Sequence, residues 1–248
     1  MKQLYVEALI RADQDALWER TQEPDMHRRW DLRFTEIDYL PPVEGQPQRF
    51  RYATRVLPWL TVAGTGIAAG ERHRPDGTRT SALRFSSPHP LSLLAEGSGY
   101  WRYVPTGDGV RFLTGYDYRP RWGAAGAVAD RLLFRPLMGW ATAWSFDRLR
   151  LWLERGTPPA RSLLHALAEL AGRGAAVVLA LVLAGSAPVA GAVLLAAALF
   201  LPPLPGTPAA RRCLRRPPVP VRAPSLLTAL THQEPHTYAP APVEEPPA

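Results

Sequence analysis

Lysine is all but missing from this 248-residue chain: Lys2 is the single lysine beside 28 arginines, in a total of 29 basic and 22 acidic residues and a formal charge of +7. That skew, with plentiful Ala, Leu, Pro and Gly, reads as the codon bias of a GC-rich genome. Residues 1–155 carry 22 basic and 18 acidic side chains with the signs interleaved, whereas a phosphate-binding surface concentrates positive charge on one face. Nucleic acid is therefore not an expected partner. Cysteine is as scarce. Cys213 stands alone, which excludes an intramolecular disulfide and leaves nothing to argue for an oxidising compartment. The opening residues meet Glu7 and Arg11 early and so lack the unbroken apolar stretch of a secretory signal. The N-terminal part is expected to stay in the cytoplasm.

Several catalytic signatures are missing too. No Gly-x-Ser-x-Gly elbow occurs, and the lone cysteine lies far from the mixed-charge region, so nucleophilic catalysis has no candidate of the usual kind. His27, His73 and His89 fall on separate elements, and His232 and His236 flank Pro235 in a Pro-rich tail. A zinc site needs three or four convergent ligands; no metal and no cofactor is expected. The run Gly64-Thr65-Gly66-Ile67-Ala68-Ala69-Gly70 approximates a dinucleotide loop, which must open a helix whose N-terminus holds the pyrophosphate. Here it leads through Glu71-Arg72-His73-Arg74 into the turn Pro75-Asp76-Gly77. Small residues that let a strand bend explain it better.

What is there divides into zones. Residues 1–155 have mixed charge and hold all eight tryptophans; residues 156–173 read as a linker and pre-membrane helix; residues 174–204 read as a membrane anchor; residues 205–248 read as an Arg/Pro-rich disordered tail. In the first zone Gln3–Ala12 alternates as a strand does. Asp13 suits the N-cap of a helix over Gln14–Thr21, and Pro24 the start of another over Pro24–Trp30. Strand-like runs follow at Leu32–Leu40, Arg49–Leu57, Thr61–Glu71, Thr78–Ser86, Ala95–Val104 and Val110–Arg119. Turn-rich connections such as Arg74-Pro75-Asp76-Gly77 and Thr106-Gly107-Asp108-Gly109 make them hairpins, hence antiparallel. From Ala124 to Glu154 the period turns helical, with Asp130, Phe134, Leu137, Ala141, Trp144, Arg148 and Leu151 on one stripe and a kink expected at Pro136.

That order, with Tyr5–Ala12, Ala16-Leu17-Trp18-Glu19-Arg20, Trp30 ahead of Leu32-Arg33-Phe34-Thr35-Glu36, and Trp144-Ser145-Phe146-Asp147-Arg148-Leu149 within Trp140–Leu153, resembles the START-related superfamily. That superfamily, also termed SRPBCC, includes polyketide cyclases, lipid-transfer domains and the birch-pollen allergen. The resemblance covers about 150 residues and implies an α+β helix-grip fold, a curved antiparallel sheet of about seven strands around a long C-terminal helix, with a ligand cavity between them. Fold does not fix function.

Trp30, Tyr52, Trp59, Trp101, Tyr116, Trp122, Met138 and Trp144 lie on elements expected to line that cavity, joined by Phe134, Ala141 and Arg148 from the helical stripe; apolar walls with a few polar groups are how small-molecule sites are built. Each of these aromatics, taken singly, could equally be core. On Leu32–Leu40 one face reads Leu32, Phe34, Glu36, Asp38, Leu40. Facing inward, Glu36 becomes a buried carboxylate, a ligand contact or a general acid/base with Tyr116 as the other candidate; facing outward, it is satisfied by solvent or by Arg51 or Arg55. Asp130 and Arg148, five helical turns apart, share a helix face, and either one is a candidate to cap one end of the cavity.

Residues 174–210 contain no Asp, Glu, Lys, Arg or His. Gly174–Leu201 is long enough as a helix for about 30 Å of hydrocarbon. Gly185-Ser186-Ala187-Pro188 interrupts it, leaving either one kinked span or a hairpin of Leu170–Ala184 and Pro188–Leu204. Arginines precede and follow the segment, and a hairpin keeps both clusters on the cytoplasmic side; small residues at Ala180, Ala184, Ala187 and Gly191 would let two limbs close together. Arg211–Arg222 would then lie near anionic headgroups. The expectation is a membrane-tethered module that binds a hydrophobic small molecule such as a lipid, an isoprenoid quinone or a polyketide-like compound. The alternatives are a cyclase, dehydratase or hydrolase acting on an apolar substrate, and an interaction adaptor whose cavity is filled.

Overall fold

The structure, a computed structural model, describes residues 3–57 and 59–218 together with Pro224 and Leu227. The chain begins with β1 (Leu4–Ile10), α1 (Gln14–Gln22) and α2 (Pro24–Trp30). Asp13 caps α1 by accepting from the backbone N–H groups of Asp15 and Ala16 at 2.9 and 3.0 Å, and Pro24 opens α2 where its missing N–H costs nothing. Strands β2 (Glu36–Tyr39), β3 (Arg49–Leu57), β4 (Leu60–His73), β5 (Arg79–Ser86), β6 (Leu94–Thr106) and β7 (Gly109–Pro120) follow. Among the described residues these seven strands form one antiparallel sheet in the order β1-β7-β6-β5-β4-β3-β2.

Curvature has local causes. The register shifts between Arg55 and Leu57, between Ala68 and Gly70, and between Leu94 and Glu96, and such bulges bend and twist a strand. Gly70 has φ +117°, which only glycine adopts without strain. Gly64 and Gly66 face aromatic rings across the ladder: a Cβ at Gly64 would meet the Tyr52 ring and one at Gly66 the Phe50 ring, both well inside contact distance. The glycine run is thus strand, in keeping with a bent sheet and not a nucleotide loop.

After β7, α3 (Gly123–Ala129), a π turn (Asp130–Phe134) and α4 (Arg135–Arg155) run on without a break. The π turn is where Pro136 is accommodated: the Arg135 N–H closes an i→i−5 bond to Asp130 O, so the helix widens just before the residue that has no N–H to give. The α4 helix packs on β1 and reaches the sheet interior through Phe146, whose ring stacks on Phe112 of β7 at 4.5 Å and meets Trp30 of α2 at 6.1 Å. Val6, Ile10, Leu17, Trp30, Tyr103, Phe112, Phe146 and Leu149 are wholly buried in this core.

The strand read over Leu32–Leu40 is shorter, and of the two alternatives for Glu36 the outward one holds. Residues 32 and 33 donate their backbone N–H groups to Ser145 Oγ and Asp31 Oδ1, so they are withdrawn from the ladder. In β2 it is Ile37 that is buried, with Glu36 and Asp38 exposed. A shift of one position exchanges the two faces of a strand.

Beyond α4, Gly156 ends the helix in the left-handed region at φ +62°, and α5 (Pro159–Leu183) and α6 (Pro188–Phe200) follow as an antiparallel pair. A Cβ at Gly191 would sit 2.8 Å from the carbonyl of Ala180, so the helices close on small residues. Lower down, Arg173 donates to the carbonyls of Ala198 (2.8 Å) and Pro202 (3.1 Å), and Glu169 accepts from Leu204 N–H at 3.0 Å.

Within the stretch read as disordered tail, residues 205–248, the described residues 207–214 form a docked return segment. Residues 207–210 and Cys213 are buried against the domain. The Asp147 side chain, with no exposed surface, accepts from Ala209 N–H (2.8 Å), Arg212 (2.9 Å) and Arg150 (2.7 Å), and Leu214 exchanges backbone bonds of 2.9 Å with Glu7 on the open edge of β1. Composition missed this because the segment is held by backbone groups and one arginine rather than by apolar bulk. Of the rest of the tail, Val219–Arg222, His232 and His236 lie outside the described residues. Replacing Asp147 by Ala takes a shared carboxylate from Arg150 and Arg212 and leaves the buried Ala209 N–H without its acceptor, so a loss of about 3–5 kcal/mol is expected in chemical denaturation. The Cys213 thiol, which donates to Ala143 O and is pushed up to about 12 by burial and by nearby Asp147, should become reactive to thiol reagents in that variant. Unchanged stability and an inert thiol would contradict the role given to Asp147.

Candidate functional site

The interior between α2, the segment that follows it, α4 and the inward face of β3, β6 and β7 combines aromatic walls with a buried polar cluster. His27 lies in the last turn of α2, and Asp31 follows the helix as its C-cap. Asp31 accepts from Arg33 through Nε (2.9 Å, at Oδ1) and Nη2 (2.7 Å, at Oδ2), a bidentate pair, and His27 Nε2 lies 3.0 Å from the same Oδ2. The side chains of Asp31 and Arg33 are 0% and 10% exposed. Around them stand Trp30, stacked on His27 at 5.0 Å, Trp101 edge-on to His27 at 4.8 Å, and Phe34 against Tyr52 at 5.7 Å. The Arg33 guanidinium lies 5.7 Å from the Tyr116 ring, and Tyr116 Oη is 3.1 Å from Thr142 Oγ1 on α4.

The electrostatics follow from burial and pairing. Burial lowers His27 more than Asp31 raises it, so the imidazole is neutral near pH 7. Burial alone would raise Asp31, but Arg33 and His27 hold it well below the usual carboxylate range; burial also works against Arg33, and Asp31 outweighs it. Tyr116 is raised by burial, with Arg33 opposing, which moves its hydroxyl away from acid/base work at neutral pH. What the cluster can do is hold a polar oxygen with oriented donors at the centre of an apolar chamber.

Of the residues expected to meet here, Trp30, Tyr52, Trp101 and Tyr116 do. Trp144 is buried on α4, stacked on Trp140 at 6.2 Å. Phe134 packs on Tyr118 at 5.8 Å, and Met138 adjoins the same core, with Ala141 half-buried beside it. Other expected positions lie elsewhere, Trp122 among them at 50% exposure. Glu36 is exposed on β2, and the acid/base role given to it goes with it. Trp59 is 81% exposed at the β3–β4 turn, outside any chamber. Arg148 is buried but engaged: it donates to the carbonyls of Trp30 (3.2 Å), Arg29 (3.2 Å) and Pro159 (2.9 Å), tying the C-terminus of α2 to the start of α5, with a pKa lowered by burial to about 10. Nor does Asp130 cap the chamber; it accepts from Tyr118 and from Arg135 at 3.2 Å. The polar cluster was missed in the sequence because His27, Asp31 and Arg33 sit at helical and turn spacing, where ordinary surface residues also occur.

An open cleft of 470 Å³ is lined by Gln22, Tyr39, Gln48, Gly70, Glu71 and Ser81, among others. A second, of 250 Å³, lies on the other side of Tyr39 against Glu23, Asp25 and Ile37. Tyr39 divides them, its hydroxyl donating to Gln22 O at 3.0 Å. Gln22 is the partition between the larger cleft and the core: its side chain donates to the buried Tyr103 hydroxyl at 2.8 Å and accepts from Ser81 at 3.3 Å.

These elements define a class, an α+β helix-grip domain followed by a pair of apolar helices, which is the fold that the resemblance to the START-related superfamily implied. No family model matches the chain. It is 49% identical over 167 residues to the uncharacterized membrane protein YndG of Bacillus subtilis, a match covering 67% of this chain and 62% of that protein. The chain thus spans under two thirds of that relative. Among solved structures, the Thermus thermophilus protein TTHA0849 superposes with a TM-score of 0.46 at 16% identity, over 63% of this chain and 99% of that one. A STAR-related lipid transfer protein from Xanthomonas axonopodis gives 0.43 at 18% identity, over 60% and 84%.

A neutral, buried His27 makes the fold sensitive to acid. Its folded pKa lies below the unfolded value of 6.5, so the unfolded chain binds the proton first. Stability is complete above that value and declines as pH falls below it toward the folded pKa. Denaturation midpoints measured from pH 7 to pH 5 should drop in the parent and drop less in His27→Gln; parallel slopes would refute the assignment.

Proposed function

We propose that the chain is a membrane-tethered binding module for a hydrophobic small molecule of the lipid, isoprenoid-quinone or polyketide-like kind. The observation that carries this reading is the pairing, in one chain, of an aromatic chamber with a buried Arg33–Asp31–His27 cluster and an apolar helix pair joined to it by three residues, Gly156–Pro158. The 470 Å³ cleft beside Tyr39 has the volume of a small-molecule site. It serves as the entrance, and rotation of Gln22 away from Tyr103 joins it to the chamber. The ligand's apolar body replaces aromatic packing around Phe34 and Tyr52, and an oxygen on it is held beside Arg33 and Tyr116. A second reading, an adaptor whose interior stays filled, is favoured by the close stacking of Phe112 on Phe146.

The helix pair is read as the anchor. Helix α5 is long and apolar enough to cross a membrane, about 37 Å at 1.5 Å per residue, whereas α6 at about 20 Å falls short of a 30 Å core. Both flanks of the pair dock on the same domain, through Arg148 before it and Asp147 after it, so the chain enters and leaves the bilayer on one side. That side is the cytoplasmic one on the rule that arginines stay inside: Arg211, Arg215 and Arg216 are exposed beside the return segment, while Arg212 turns inward to Asp147. The naming of YndG as a membrane protein supports the tether.

Mass spectrometry of a chloroform–methanol extract of the purified full-length protein should find a co-purifying apolar molecule, reduced in a Gln22→Trp variant that blocks the cleft. Repeated extraction of nothing apolar favours the filled adaptor instead. Separately, tags at the two chain ends should be accessible from the same side of intact vesicles; accessibility from opposite sides would exclude the hairpin.

A further inference from the structure

One end of the sheet carries large apolar side chains that no described residue covers. Trp59, Leu91, Trp122, Leu132, Leu133 and Trp140 are all exposed, Leu132 and Leu133 at 73% and 69%. The segments that bear the first three lie at the same end, because Leu94 at the start of β6 pairs with Pro120 at the end of β7, and Ser86 at the end of β5 pairs with Glu96 and Thr65. Leu132, Leu133 and Trp140 belong to the helical run that leaves that end. The loops are pinned from beneath: Trp122 Nε1 donates to Pro90 O at 3.2 Å, Arg121 N–H to Leu93 O at 2.6 Å, and Ser87 Oγ to Ala63 O at 2.6 Å. Trp122 is also held at φ +65°, a conformation rare for a bulky residue and one that persists only where the surroundings enforce it. Single exposed apolar residues need no explanation, but a cluster drawn from three loops and a helix marks an interaction surface.

The chemistry of the fringe points to one partner. Arg55 and Arg131 stand exposed beside Trp59 and Leu132, whereas the acids at this end are neutralised, Glu96 by Arg119 at 3.1 Å and the buried Asp130 by Arg135. Tryptophan with arginine is the composition that settles at the headgroup level of a bilayer, the ring in the interface and the cation on anionic lipid. Both attachments of the hairpin, Asp147 and Arg148, lie on the helical run that starts at this end, so the domain is held near the bilayer that takes the hairpin, where even a weak contact is populated. We infer that this end of the domain inserts into the interface of that bilayer, as a second contact beside the hairpin. The inference rests on the membrane reading above.

All eight tryptophans lie in residues 1–155 and none in the hairpin, so tryptophan emission reports the domain alone. Full-length protein is reconstituted in phosphatidylcholine–phosphatidylglycerol vesicles with and without brominated acyl chains. Brominated lipid is expected to quench the emission, and a Trp59→Phe, Trp122→Phe, Trp140→Phe triple variant, checked for parental circular dichroism, is expected to lose that response. Vesicle flotation reads the anchor independently. Protein that floats but is not quenched overturns this inference and leaves the anchor standing; protein that does not float removes both. Undiminished quenching in the triple variant also overturns it. So does cross-linking of two copies through positions 59 and 132 without quenching, which assigns the face to self-association.

Discussion

A carboxylate sealed from water midway along the gripping helix organises this chain. Asp147 has no exposed side-chain surface, and a buried ion is tolerated only when its partners surround it. Those partners are Arg150 on its own helix, and Arg212 and Ala209 N–H from the far side of the apolar helix pair. One side chain therefore joins two stretches of sequence separated by the whole hairpin. The bond also lays residues 213–214 along β1, where the Glu7–Leu214 exchange occupies donors and acceptors that an edge strand would otherwise offer to another chain. Arg148, one residue on, performs the matching task before the hairpin, gathering carbonyls from α2 and α5. Adjacent residues of α4 thus secure the exit and the return.

The chamber is built on the opposite logic. Its walls are rings, and the space a ring needs against the sheet is made by leaving side chains out, as Gly64 and Gly66 do for Tyr52 and Phe50. Into this setting the chain places an ion pair and an imidazole. A bidentate Arg33–Asp31 pair that closes its own turn is stable when buried, and it also gives an otherwise featureless apolar interior one oriented polar point. The aromatic walls supply area and the pair supplies direction.

Much of the fold was legible because its signals are periodic. Alternation over Arg49–Leu57 and Val110–Arg119, with turns between strands, located β3 and β7 to within a residue or two, and Asp13 and Pro24 marked two helix starts. What failed depended on phase or on tertiary partners. Leu32–Leu40 alternates as a strand does, yet Asp31 and Ser145 capture the backbone of residues 32 and 33, and the remaining strand buries Ile37 rather than Glu36. Trp59 carries the same apolar weight as Trp101, but alternation cannot tell a turn apex from a wall. Arg148 was placed on the inward stripe correctly and given the wrong task, since nothing in spacing reveals three carbonyls converging from other elements. The return segment escaped notice for a similar reason: Arg212 is one arginine among four at positions 211–216, and only the fold singles it out.

Two fastenings separated by the hairpin have a mechanical consequence. A domain hung from one flexible linker swivels freely about its tether. Here, Gly156–Pro158 is short and the return segment is clamped at Asp147, so rotation about either attachment is resisted by the other. The domain is mounted like a plate on two bolts.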